Sequence, residues 1–403
     1  MDAKALAALK QKAIREIDRI SDRLWETALY IHSHPEVGWE TPKAVRCLTE
    51  PLQEAGMKTE IGVAGVPSSF LAEWSGGARN RPLVALLAEY DALRGIGHGC
   101  GHNLIGTAAV GAGLAVKAAA PDLPGRLLVI GTPFEEGGGG KVVLVEKGLF
   151  ESCDAAMLCH PNNRTMVLRG GLASVHIIFR YYGKASHAAA APEKGISTLD
   201  AVLQLFFGIN QLRQFAPQGH RIHGIITQGG VAPNIVPEFA EAEFIVRATN
   251  RRDLLGLKKK VLAAAESAAL AAGARWEFEE GITYAERNEN PSLSHAFAAN
   301  LTRLGVTIDP PAEGIGSSDM GNVGEVCPAI HPYMKISDES TSTHSGAFAE
   351  AAKSEAGREG MLQAAKALAM TALDLFYDES LLPRIKEDFV RYRAEVEGLS
   401  HPR

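Results

Sequence analysis

The run Pro82-Leu-Val-Ala-Leu-Leu-Ala-Glu89 constrains the fold of this 403-residue chain more than any other stretch. Its apolar residues are consecutive, without the spacing of an amphipathic helix, and no helix cap flanks it. It therefore reads as a strand buried on both faces. Arg126-Leu-Leu-Val-Ile-Gly131 has the same character, and Ala155-Ala-Met-Leu-Cys159 supplies a shorter third run. Helical stretches lie between them: Leu104–Ala119, which Asn103 is placed to cap, and another beginning over Lys141–Gly148. Leu6, Leu9, Ile14, Ile17, Ile20, Leu24 and Leu29 give residues 4–33 a helical period. Strands alternating with helices imply an α/β fold, a mostly parallel sheet flanked by helices.

The residues just beyond each strand point to chemistry. Glu89-Tyr90-Asp91 ends the first, Glu135-Glu136 comes after the second and His160 after the third. Open α/β sheets collect ligands outside the carboxyl ends of their strands, so separate segments deliver acids and imidazole to one edge. Between the first two strands lies His98-Gly-Cys100-Gly-His102-Asn103. Thiolate and imidazole suit zinc and related metals, and glycines beside Cys100 permit a tight backbone. The same hexapeptide is also compatible with a glycine turn or a reactive cysteine. Adjacent carboxylates such as Glu135 and Glu136 repel unless a cation offsets one of them. With a metal present, one can be a ligand and its neighbour a general base.

From about Gly170 the pattern changes. Ala173–Arg180, Arg221–Thr227 and Ala240–Arg247 alternate like half-exposed strands, with helical stretches at Ser197–Phe215 and Leu254–Ala272. Such a segment predicts an α+β domain with a four-stranded antiparallel sheet. After Arg287 the α/β texture returns and ends in a helix over Gly360–Tyr377. The expected division is residues 1–169 and 287–403 for a catalytic metal-binding domain, with 170–286 inserted as a lid or dimerisation domain.

A net charge of −6 argues against a nucleic-acid partner, which favours a basic face. Five sparse cysteines fit a reducing compartment better than a disulfide framework. Met1–Ile20 is charged and lacks an apolar core, unlike a signal peptide, and no apolar run approaches a membrane span. The expected location is the cytoplasm.

Further candidates are spread along the chain. His344 lies in the polar loop Ser342-Thr-His-Ser345, and Asp319 in Gly316-Ser-Ser-Asp-Met-Gly321. In the inserted segment are His187, Asn234 and Arg247, the last two suited to an anionic substrate. These pieces, in this order, resemble the metallopeptidase family of aminoacylases, carboxypeptidase G and many dipeptidases. The branch holding p-aminobenzoyl-glutamate hydrolase and β-alanyl-lysine type dipeptidases is the most similar. Carrying the resemblance are Leu87–Leu93, Gly97–Asn103, Pro133–Gly140, Gly183–His187, Arg221–Gly224, Gly229–Pro237 and Gly316–Val323.

The resemblance implies a hydrolase that cleaves an amide bond of an N-acyl amino acid or dipeptide-like substrate. It implies two divalent metal ions per subunit, with zinc the first expectation and manganese the second. Cys100, His102, Glu136, His160 and His344 then match the ligands, and Glu135 the general base. His187, Asn234 and Arg247 match residues that bind substrate and stabilise the oxyanion, His187 acting across a homodimer. Asp91 matches an acid that orients a ligand, with Asp319 a second supporting acid, and His98 becomes a bystander. Gly99, Asn322 and Thr41 depart from the usual pattern without removing any of these groups.

Overall fold

A computed structural model describes residues 1–77, 80–311 and 316–398. The chain forms two compact units, Met1–Gly170 with Asn288–Arg403, and Gly171–Arg287.

The first unit contains strands β1 (Lys58–Ile61), β2 (Phe70–Ser75), β3 (Leu83–Ala88), β4 (Arg126–Gly131), β5 (Ala155–Met157) and β6 (His160–Asn162). The second contains β7 (Ala173–Tyr182), β8 (Arg221–Gln228), β9 (Phe239–Ala248) and β10 (Arg275–Tyr284); β11 (Ala329–Ile330) and β12 (Tyr333–Lys335) return to the first. A six-stranded sheet has the order β1-β2-β4-β3-β5-β11. β4–β3, β3–β5 and β5–β11 pair in parallel, whereas β1–β2 and β2–β4 are antiparallel.

β3 is buried at every position because it runs through the middle of this sheet. Val84, Leu86 and Ala88 join one apolar cluster, and Leu83, Ala85 and Leu87 join another on the opposite face. That split is the period-two alternation of a strand covered on both sides. Helices Ala3–Arg19, His102–Ala119 and Glu355–Tyr377 contribute to the first cluster, and Gly140–Glu146 and Met320–Val326 to the second.

Local expectations are corrected in three places. Residues 4–33 form two helices, Ala3–Arg19 and Ser21–Ser33, with a non-helical Ile20 at the joint (φ −100°, ψ 8°). Ile17, Leu24 and Ala28 still enter one cluster, so the apolar period continues across the break. Asn103 does not cap: the helix starts at His102 and Gly101 is its N-cap. The buried Asn103 amide instead donates to Ala28 O and Ala352 O, each at 3.2 Å. The run Ala155–Cys159 gives a strand only to Met157, after which His160–Asn162 pairs in parallel with β12 in a separate two-stranded sheet.

The second unit is a four-stranded antiparallel sheet ordered β10-β7-β9-β8. β7 and β9 alternate buried and half-buried positions. Their buried side chains, Val175, Ile177, Phe179, Ala242, Phe244 and Val246 among them, pack with helices Thr198–Gln214 and Arg251–Ala272. Ser197 and Asn250 cap those helices through their side chains. No helix among the described residues is long and apolar enough to cross a membrane.

Candidate metal centre

The polar ends of β3, β4 and β6 converge with the start of one helix and one loop. Gly101 adopts a left-handed conformation (φ 78°) immediately before His102, the first residue of helix His102–Ala119. A Cβ there would come within 2.9 Å of the Pro161 ring, so glycine is required by conformation and by space. The His344 amide donates to Gly99 O at 2.8 Å, which ties its loop to the Cys100 turn. His344 itself holds a positive φ of 60°, a strained conformation for a side-chain-bearing residue.

Cys100 Sγ lies 3.4 Å from His160 Nε2 and 3.3 Å from His344 Nε2. Glu136 Oε1 lies 3.4 Å from His344 Nε2 and 3.8 Å from His102 Nε2. Three overlapping groups result: Cys100 with His102 and His160, Cys100 with Glu136 and His344, and His102 with Glu135 and Glu136. Within each group the candidate ligand atoms all lie within 4.8 Å of one another.

The histidines are held in the form a metal requires. His102 Nδ1–H donates to Asp91 Oδ1 at 3.2 Å, and His160 Nδ1–H donates to Pro161 O at 2.6 Å. Each arrangement fixes the tautomer and leaves the Nε2 lone pair facing the cluster. Asp91 also accepts the Glu136 amide through Oδ2 at 3.1 Å, so it braces both a candidate ligand and the acid pair. Glu136 Oε1 is buried and accepts no protein hydrogen bond, and the sulfur–nitrogen–carboxylate set suits a divalent transition metal. The residues present fit such an ion.

Electrostatics agree with that fit. Burial pushes the Glu135 carboxyl well above the usual carboxylate range, and Glu136, Glu89 and Asp319 add repulsion. Burial and Glu136 likewise raise the Cys100 thiol. A cation is the group that would relieve this crowding of acids. Burial opposes charge on His102 and Asp91, yet their mutual contact raises the first and lowers the second.

Two participants carry no sequence signal of their place here. Lys141 is fully buried, its Nζ 2.5 Å from Glu89 Oε1 and 2.7 Å from Asp319 Oδ1. Glu89 Oε2 in turn lies 3.4 Å from His102 Nε2. Asp319 therefore touches Lys141, through its ammonium and its amide, and not a candidate ligand. Burial opposes charge on Lys141, but Asp319 and Glu89 hold its pKa above the ordinary value. Lys141 reads in the sequence as a helix-opening residue after a glycine run, and nothing there signals burial. His331 is the second, its ring stacked 5.2 Å from that of His160. His98 is buried but belongs to none of the three groups, and burial pushes its pKa down to about 3.

The second unit brings His187 and Asn234 together. The Ala188 amide donates to Asn234 O at 3.0 Å, and His187 bridges Ile235. His187 Nδ1 accepts from the amides of Ala189 and Ala190 at 3.3 and 3.2 Å, which leaves Nε2 as the proton-bearing, exposed nitrogen. Arg247 lies on β9, its Nε donating to His223 Nε2 at 3.3 Å.

A buried thiol, imidazole and carboxylate cluster at the carboxyl edge of such a sheet is the site of a metal-dependent hydrolase. Residues 167–272 match the peptidase dimerisation domain of the M20 family. The chain is 38% identical to the Xaa-Arg dipeptidase of Mus musculus, over 96% of this chain and 93% of that protein. It is 28% identical to one of the subunits of p-aminobenzoyl-glutamate hydrolase of Escherichia coli, over 92% and 91% respectively. Among solved structures, the Bacillus subtilis YXEP protein, a dinuclear metal binding peptidase of the M20 family, superposes with a TM-score of 0.67 at 20% identity, covering 89% of this chain and 99% of that one. The chain belongs to the M20 metallopeptidase family. It is a metal-dependent hydrolase of amide bonds.

Proposed function

We propose that this hydrolase cleaves dipeptides or N-acyl amino acids at a centre of two divalent cations, with Glu135 as general base. Cys100, His102, Glu136, His160 and His344 are assigned as the ligands. The observation that carries this reading is their convergence from four separate segments, with His102 and His160 already in the metal-binding tautomer. Thiolate and imidazole favour zinc, with manganese next. Bound cations of this kind polarise a carbonyl and lower the pKa of a nearby water.

The chain's own groups then divide the work. Glu135 removes the proton of the attacking water and returns it to the leaving amine. Asp91 keeps His102 oriented, and the buried Lys141 offsets Glu89 and Asp319. His187 Nε2–H is assigned to the developing oxyanion, and Asn234 and Arg247 to the substrate's anionic end. The match to a dimerisation domain supports a homodimer formed through the second unit. Five unpaired cysteines support a cytoplasmic location.

The extended likeness to the mouse Xaa-Arg dipeptidase makes dipeptides ending in arginine the first substrates to test, with p-aminobenzoyl-glutamate and N-acyl amino acids beside them. Turnover of one class after loading with zinc or manganese supports the assignment. An inert, metal-loaded chain across that whole panel contradicts it.

A further inference from the structure

Phe134, the residue before the acid pair, has a backbone that glycine would adopt more easily. It holds φ 56° and ψ 52° in the left-handed region, where a side chain is strained. Gly137 to Gly140 lie just beyond, so the turn already contains residues able to take that conformation. A bulky aromatic in that place must be held by its surroundings.

The ring is held by absent side chains. A Cβ built at Gly138 would lie 2.0 Å from the Phe134 ring, and one at Gly137 or Gly38 would lie 3.5 or 3.8 Å from it. Trp39 packs against it edge to face, with centroids 5.3 Å apart and planes at 86°. The Phe134 carbonyl accepts the amides of Gly138 and Gly140 at 3.2 and 3.3 Å. From the other side, Asp91 Oδ2 accepts the Glu136 amide at 3.1 Å. Glu135 and Glu136 are thus suspended between an anchored ring and a buried carboxylate.

We propose that Phe134 is a positioning residue whose ring, seated on Gly38, Gly137 and Gly138 and braced by Trp39, fixes the direction of Glu135. The inference rests on the reading of Glu135 as the base. Its consequence is opposite to that of a merely structural ring. Phe134→Gly relieves the backbone strain, so a structural role leaves turnover intact or follows stability. A positioning role makes the same variant slow, because small displacements of a catalytic group are costly.

The test compares Phe134→Gly, Trp39→Ala and Glu135→Gln for kcat, KM, bound metal per chain and thermal midpoint. Phe134→Gly should lose about 10²-fold in kcat, with KM, metal content and midpoint close to the parent. Trp39→Ala should show a smaller loss of the same kind, and the double variant should lose less than the product of the two. A Phe134→Gly protein with parental kcat, beside an inactive Glu135→Gln, overturns the inference and leaves the base assignment standing. A fully active, metal-loaded Glu135→Gln overturns the base assignment and the inference with it. If Phe134→Gly loses metal or unfolds early, Trp39→Ala decides, since it leaves the turn's backbone intact. Unchanged kcat in that variant overturns the proposal, and a kcat-selective loss supports it.

Discussion

The two units treat the same residue types in opposite ways. In the first, His102, Asp91 and Glu89 are almost completely buried, and each touches at least one charged or imidazole partner. In the second, His187 and Asn234 are exposed and held mainly through backbone contacts. Taking charge out of water is costly unless it is paired, so the buried set has to be arranged before any ligand arrives. Exposed donors are under no such constraint from their surroundings and can adjust to a substrate. The difference separates a preorganised centre from an adaptable contact surface.

The comparison can be broken most sharply by removing the cation. Exhaustive chelation should abolish hydrolysis, and added zinc or manganese should restore it. Activity that survives chelation but dies with a thiol alkylator would instead make Cys100 a nucleophile. Next in size, His187→Ala should cost about 10²–10³ in kcat, as loss of an oxyanion donor does, with bound metal unchanged. Loss of metal in that variant would erase the distinction between the units. Asp91→Asn should weaken metal binding or activity by about 10–100-fold, read by metal titration, because it braces His102. The smallest effect belongs to the second unit's scaffold. Asn250→Ala removes a helix cap and should cost about 1 kcal/mol of stability in thermal unfolding with kcat unchanged.

Much of the first unit is legible from strand character alone. Leu83–Ala88 and Arg126–Gly131 are consecutively apolar because neighbours cover both faces, and the polar residues beyond them fall at the sheet edge. The features that escape the sequence depend on contacts made far along the chain. Ile20 breaks a helix without breaking the apolar period, since that period records the buried face and not the course of the axis. Asn103 has a cap-forming side chain, but burial gives its amide carbonyl partners from two distant segments. Strand β10 (Arg275–Tyr284) is hidden by its Glu-Glu-Gly interruption, where the pairing register shifts. Lys141 is the hardest case: its partners Glu89 and Asp319 lie 52 residues before and 178 residues after it in the chain. Nothing local marks a lysine as buried when the charges that hold it come from elsewhere.

The central claim is that Glu135 acts as a base beside a metal centre it does not itself hold together. Metal content and turnover of Glu135→Gln, measured on one sample with the best substrate of the panel, test it directly. The account predicts parental metal content with a loss of about 10²–10⁴ in kcat. Near-parental turnover with the metal bound would contradict it.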